Sequence, residues 1–153
     1  MFEQASQQIA QTSASAFIAN HLWVTPLVQS VHILAIAALS GALLMINLRL
    51  LGLAPADDRS PSVMRRSGLV GLYAGLVLLL TGIVLVIGEP ARELTNALFQ
   101  VKMVLVAAIM AAVVLVVRRG DDLRREAGGK ALAAVTIVLW ASIIFAGRWI
   151  AYV

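Results

Sequence analysis

Long apolar runs alternate along this chain with short polar ones. Four runs stand out, near 24–48, 68–88, 97–117 and 131–152. The second reads "GLVGLYAGLVLLLTGIVLVIG" and the third "ALFQVKMVLVAAIMAAVVLVV". Each has about 20 residues, enough to cross ~30 Å of hydrocarbon at ~1.5 Å per residue. The strict apolar–polar alternation of a transmembrane barrel is absent. Without water in the bilayer core, each run must satisfy its own backbone polar groups, so each is predicted to be a helix. The expected fold is all-α: a four-transmembrane-helix bundle occupying residues 23–153. "VTP" at 24–26 reads as the start of the first span, with Thr25 as cap and Pro26 in the first turn.

Residues 1–22 differ. Phe2, Ala5, Ile9, Ala16 and Phe17 recur at near-helical spacing, with Gln and Ser on the other faces. This predicts a weakly amphipathic helix lying on the outer membrane surface. The segment has neither the basic start nor the continuous apolar core of a signal peptide.

Charge sets the orientation. Arg49, Arg59, Arg65 and Arg66 follow the first span, and Arg118, Arg119, Arg124, Arg125 and Lys130 follow the third. These are nine of the twelve Lys and Arg residues. The short "EPAREL" connection holds only Arg92. The positive-inside rule then makes the two basic loops cytoplasmic and leaves both termini outside, N-out and C-out. In a bacterium this is the inner membrane with both termini periplasmic. The net charge of +4 arises in these loops, so no nucleic-acid partner is expected. Composition agrees with the membrane reading: 61% of residues are hydrophobic and 13% charged, against about a quarter charged in soluble domains. The absence of cysteine excludes disulfides, thiolate metal sites, thioether-linked haem and a cysteine nucleophile.

Small residues mark helix contacts. Gly71 and Gly75 form a GxxxG pair, and Ala37/Gly41, Ala107/Ala111 and Ala108/Ala112 repeat the spacing. In lipid such pairs let backbones approach closely.

The polar residues inside the spans carry the candidate chemistry. From Pro26 to Ile46 the only ionisable side chain is His32, ~13 Å below the outer end of its helix. Gln29 is one turn above it. Gln100 and Lys102 lie in the first two turns of the third span, and Arg148 near the outer end of the fourth. All of these fall in the outer half of the membrane, where a charge faces an interior and a partner. Neutral imidazole is a common axial ligand of haem iron, and helix bundles build such sites from inward side chains. Lys102 and Arg148 are placed to hold two propionates. His21 and His32 are ~16 Å apart along one helix and cannot grip one iron from both sides. Met103 or deprotonated Lys102 could supply the second ligand; otherwise the iron is five-coordinate or shared across a homo-oligomer. A cofactor-free arrangement uses the same groups: Lys102 and Arg148 reach outward to Glu89 and Glu93, and His32 bonds a backbone carbonyl or Ser142. No paired carboxylates lie inside the spans, so acid–base catalysis would fall to His32 or Lys102 alone, and an enzymatic role is left open.

The stretch from Trp23 through "HILAIAALSGALLMINLRLLGL", then "GLVLLLTGIVLVIGEP" and "NALFQVKMVLV", resembles a family of small bacterial four-helix membrane proteins of unknown function. The likeness covers most of the chain from Trp23 to Ile150. It is most specific at His32, Arg49–Gly52, Phe99–Lys102 and Gly147–Arg148. More distantly, an outer-half His on the first span with "F..K" opening a later one looks like the copper-resistance D membrane domain and the membrane-bound protoporphyrinogen oxidase. That likeness implies His32 as a haem or metal ligand and Lys102 as its functional partner. The expectation is an integral membrane b-type haem protein. It would move electrons near the outer face between the quinone pool, or another membrane partner complex, and an outer acceptor. Two alternatives fit the same residues: a cofactor-free accessory subunit of a larger complex, and copper handling through His32 with Met45, Met103 and Met110.

Overall fold

The computed structural model describes residues 2–54 and 60–149, with a few side chains inside these ranges, those of 147–149 among them, outside the description. Asp57, Asp58 and Arg59 of the first basic loop, and the last residues expected in the fourth span, are outside the described residues. The described residues form seven helices: α1 (Phe2–Ala10), α2 (Ser13–Asn20), α3 (Val24–Leu50), α4 (Ser60–Gly88), α5 (Pro90–Leu94), α6 (Ala97–Arg125) and α7 (Ala127–Trp149).

The four long helices contain the four expected spans. Each is long and apolar enough to cross a membrane. Only 11–33% of each span's most apolar window is buried within the chain. The remaining apolar surface needs an apolar solvent, and lipid supplies it. The chain is a multi-pass membrane protein. Its helices run up and down in the ring order α3, α4, α6, α7, with α3 packed most extensively on α4.

Helix ends follow local chemistry. Gly52, with φ of +75°, closes α3 in a Schellman motif: Leu53 N–H donates to Leu48 O at 2.8 Å and Gly52 N–H to Arg49 O at 3.2 Å. A glycine is favoured there because a Cβ resists that backbone conformation. Asn96 caps α6 by accepting from Leu98 N–H at 2.9 Å. The start of α3 departs from expectation. Trp23 is the cap residue and makes no side-chain cap bond, so Thr25 is not the cap, although Pro26 does lie in the first turn.

The basic segments are more helical than loops. α4 begins at Ser60, well before residue 68. α6 continues to Arg125 through a kink at Arg119, whose φ of −133° and ψ of 19° leave the helical region. Burial explains the extension. Met64 and Leu123 join Ile46, Leu50, Val116 and Ala133 in an apolar cluster at this basic end, so the flanking turns stay helical to present them. Arg119 and Glu126 pair at 3.3 Å across the kink; both are exposed, and such pairs contribute little.

A stripe of glycines on α4 sets the packing. Gly68, Gly75 and Gly82 recur every seven residues, with Gly71 on the same face. A Cβ at Gly68 would sit 2.5 Å from Val117 Cγ2. One at Gly71 would meet Val113, Ala42 and Leu39, and one at Gly75 would overlap Met110. Of the expected small-residue pairs, Gly71/Gly75 is therefore used inside the bundle. Ala37/Gly41 and Ala107/Ala111 face outward instead. A second cluster of Leu39, Leu43, Ala74, Ile109, Val113 and Ile143 fills the middle.

The N-terminal segment is two helices, not one. Thr12 breaks the run and caps α2 by accepting from Ser15 N–H at 3.3 Å. α1 packs against α5 and α4, and α2 against α4, with Ile18 seated on Gly88. Part of the apolar face expected to meet lipid thus meets the end of the bundle, while Phe17, Leu22 and Trp23 stay exposed.

Near the basic end, Thr136 Oγ1 lies 2.8 Å from Asn47 Oδ1 and 3.0 Å from the carbonyl of Ala133 in its own helix. Thr136 and Asn47 are buried, at 4% and 6% exposure. This contact links α3 to α7 at the basic end of the bundle.

Two packing tests follow. A Cβ at Gly129 would collide with the backbone carbonyl of Leu123, whereas one at Gly128 would have nothing within 4 Å. Gly129→Ala is expected to cost about 1–3 kcal/mol, read as a lower thermal midpoint in detergent. Gly128→Ala should be neutral or gain up to about 1 kcal/mol from helix propensity. Equal midpoints for the two would show that the start of α7 does not pack on α6 as described. Thr136→Val should cost about 1 kcal/mol, in the range of interhelical hydrogen bonds in lipid. Combined with Asn47→Ala, it should cost less than the sum of the two single changes.

Candidate functional site

The glycine stripe leads to the polar residues of the spans. Ala42 on α3 lies opposite Gly71 on α4. The helices are antiparallel, so ten residues back along α3 and ten on along α4 give His32 opposite Thr81. The side chains meet there: His32 Nδ1 lies 2.7 Å from Thr81 Oγ1. Gly82 is beside them, and a Cβ on it would come within 3.9 Å of His32 Cε1. Thr81 Oγ1 also lies 2.7 Å from the carbonyl of Val77 and 3.3 Å from that of Leu78, both in its own helix. The partner of His32 is therefore Thr81. Ser142 is not involved; its hydroxyl donates to Val138 O at 2.8 Å.

The α4–α6 register brings Lys102 to the same level. Gly68 lies against Val117, Gly71 against Val113 and Gly75 against Met110, and continuing that series puts Lys102 beside Gly82–Ile83. Lys102 is half-buried. It forms no salt bridge among the described residues. Glu93 is half-buried on α5. Gln100 is exposed and donates weakly to Leu94 O at 3.4 Å.

The other expected site residues are less closely gathered. Gln29 is exposed one turn above His32. Met103, ~100° around α6 from Lys102, is 42% exposed, with no contact to His32 described. Arg148 lies in the last turn of α7, its side chain outside the described residues. Counting from the Asn47–Thr136 contact puts its backbone level with Ala35, less than one turn from His32. His21 stacks on Phe17 with ring centroids 4.1 Å apart and bonds Phe17 O at 2.8 Å, away from His32 in sequence and setting. Among the described residues, no three His, Cys, Asp or Glu side chains gather as a metal site would require.

The sequence reading missed Thr81 and Gly82. A signal existed: Gly82 continues the seven-residue glycine spacing of Gly68 and Gly75, and Thr81 is the only Ser or Thr between Gly68 and Gly88 of α4. Which hydroxyl met His32 depended on helix register.

What the arrangement offers is a half-buried imidazole held through one ring nitrogen, with a cation at its level. No curated protein and no solved structure matches the chain, so the distant likenesses to the copper-resistance domain and the porphyrin oxidase rest on short motifs alone. One family does match, over residues 8–153, nearly the whole chain and all four spans. The protein belongs to DUF6644, a family of unknown function.

Proposed function

We propose that this membrane protein binds haem b, with His32 as axial ligand, and serves electron transfer at the terminal end of the bundle. The observation that carries the reading is the His32–Thr81 contact. It engages Nδ1 and leaves Nε2 as the ring nitrogen free to ligate. Metal-bound histidines characteristically use one nitrogen for the metal and anchor the other.

The donor set fits haem at one axial position. His32 supplies the imidazole, while Lys102 and Arg148 supply cations for the propionates. Met103 remains a candidate for the second position, though its exposure favours a single ligand from this chain. When bound, haem would supply a one-electron couple whose potential follows ligation and burial. The chain's own part is to hold the ring, shield it with apolar side chains of α3, α4 and α6, and balance propionate charge. With the basic ends cytoplasmic, this site faces the outside of a bacterial inner membrane, and quinone or a membrane complex is the natural electron partner.

A second reading, a cofactor-free accessory subunit, is favoured by the outward face of α3. Ala37 and Gly41 are exposed there, and a Cβ on Gly41 would meet nothing within 4 Å, which suits close docking of another helix. Copper handling has less to rest on, since the methionines cited for it do not cluster: Met45 and Met103 are exposed and Met110 packs on Gly75.

The test is the visible spectrum of detergent-purified protein from a haem-replete host. A Soret band with sharp α and β bands on dithionite reduction is expected, lost in His32→Ala. Lys102→Gln should retain the bands but bind haem about tenfold more weakly, the loss of one charge-assisted hydrogen bond. A colourless wild-type protein that co-purifies with stoichiometric partners would replace the haem reading with the accessory one.

A further inference from the structure

We infer that Thr81 is the positioning residue of His32, and that it fixes the imidazole as the Nδ1–H tautomer with the Nε2 lone pair presented for ligation. The argument is an accounting of protons. The Thr81 hydroxyl has one hydrogen and three neighbours: His32 Nδ1 at 2.7 Å, Val77 O at 2.7 Å and Leu78 O at 3.3 Å. The carbonyls can only accept. If the hydroxyl donated to Nδ1, Thr81 Oγ1 and Val77 O would face each other at 2.7 Å with no proton between them. Two oxygen lone pairs at hydrogen-bond distance repel, and lipid offers no water to relieve them.

The hydroxyl proton therefore goes to Val77 O, and Nδ1 must donate to Oγ1. The chain reads His32 Nδ1–H to Thr81 Oγ1–H to Val77 O=C. Each bond polarises the next, and the arrangement matches every polar group of the relay except the Nε2 lone pair. In a neutral ring, the Nε2 lone pair is then the only ligating position. Histidine in water favours the opposite tautomer, so this state is imposed by α4.

The ligand class, an electrophilic metal centre carried by a porphyrin, rests on the haem reading above; the tautomer does not. Gly82 lies beside the Cε1 edge of the ring, where a Cβ would make an ordinary van der Waals contact at 3.9 Å.

The experiment is nitrogen-15 NMR of histidine-labelled apoprotein in bilayers at about pH 8.5, where an ordinary histidine is neutral. The His21→Gln variant assigns the two rings. Wild-type His32 should show a protonated Nδ1 and an unprotonated Nε2. Thr81→Val removes the acceptor at nearly constant volume and should convert His32 to the Nε2–H form. Thr81→Ser should restore the original pattern, which separates positioning from loss of packing. An Nε2–H signal in the wild type, or an unchanged Nδ1–H signal in Thr81→Val, overturns the inference.

Haem titration is read separately. Where the wild type shows a Soret band, Thr81→Val should weaken haem binding ten- to a hundredfold, the usual reach of such outer contacts, and Thr81→Ser much less. A wild type without a Soret band but with the Nδ1–H signal removes the haem reading and leaves the Thr81 assignment standing.

Discussion

Close approach of α3 and α6 to the glycine stripe of α4 is the contact on which the rest of this structure depends. In lipid the hydrophobic effect cannot tell a helix neighbour from an acyl chain, so association rests on packing and on interhelical hydrogen bonds. Gly68, Gly71 and Gly75 let Val117, Val113 and Met110 of α6 come close, and Gly71 also receives Ala42 and Leu39 of α3. One face of one helix thus sets the register of two others. The same register carries on to Gly82 and brings His32 and Lys102 to a common level. A Cβ at Gly71 would crowd Val113 of α6 at 3.2 Å and lie in ordinary contact with Ala42 and Leu39 of α3 at 3.6 Å.

Polar contacts pin the bundle at its two ends. His32–Thr81 ties α3 to α4 near the terminal end, and Thr136–Asn47 ties α3 to α7 near the basic end. They differ in what they leave over. Thr136 meets Asn47 Oδ1 between buried helices, as a structural link would. Thr81 engages one nitrogen of a half-buried ring, and no contact is described for the second. A cation, Lys102, lies at the level of that ring, with no carboxylate within ion-pair distance among the described residues.

The N-terminal helices belong to the same end. α1 rests on α5, and Ile18 of α2 on Gly88, so the arm covers part of the end of the bundle nearest His32 and Lys102. Its exposed Phe17, Leu22 and Trp23 are the residue types that settle at a membrane interface. The arm therefore packs part of its apolar surface on the bundle and leaves the rest exposed.

The spans were legible from the chain alone because a membrane leaves few choices. A run of about 20 apolar residues must satisfy its own backbone, and only a helix does so. The presence of His32, Lys102 and Arg148 in one half of the membrane was legible for the same reason: depth follows from counting residues along a helix. Partnership was not. His32 could have faced a carbonyl, Ser142 or Met103, and only the rotation and register of α4 against α3 selected Thr81. The inward use of Gly71/Gly75 and the outward turn of Ala37/Gly41 were likewise indistinguishable in sequence, since every small-residue pair looks alike until its neighbours are placed. The helical basic segments escaped notice because their polar residues outnumber Met64 and Leu123, whose burial depends on contacts far along the chain. Sequence by itself determined the helices and the depth of their polar groups, through local backbone needs. Tertiary structure decided which groups touch, because contact depends on how separate helices turn toward one another.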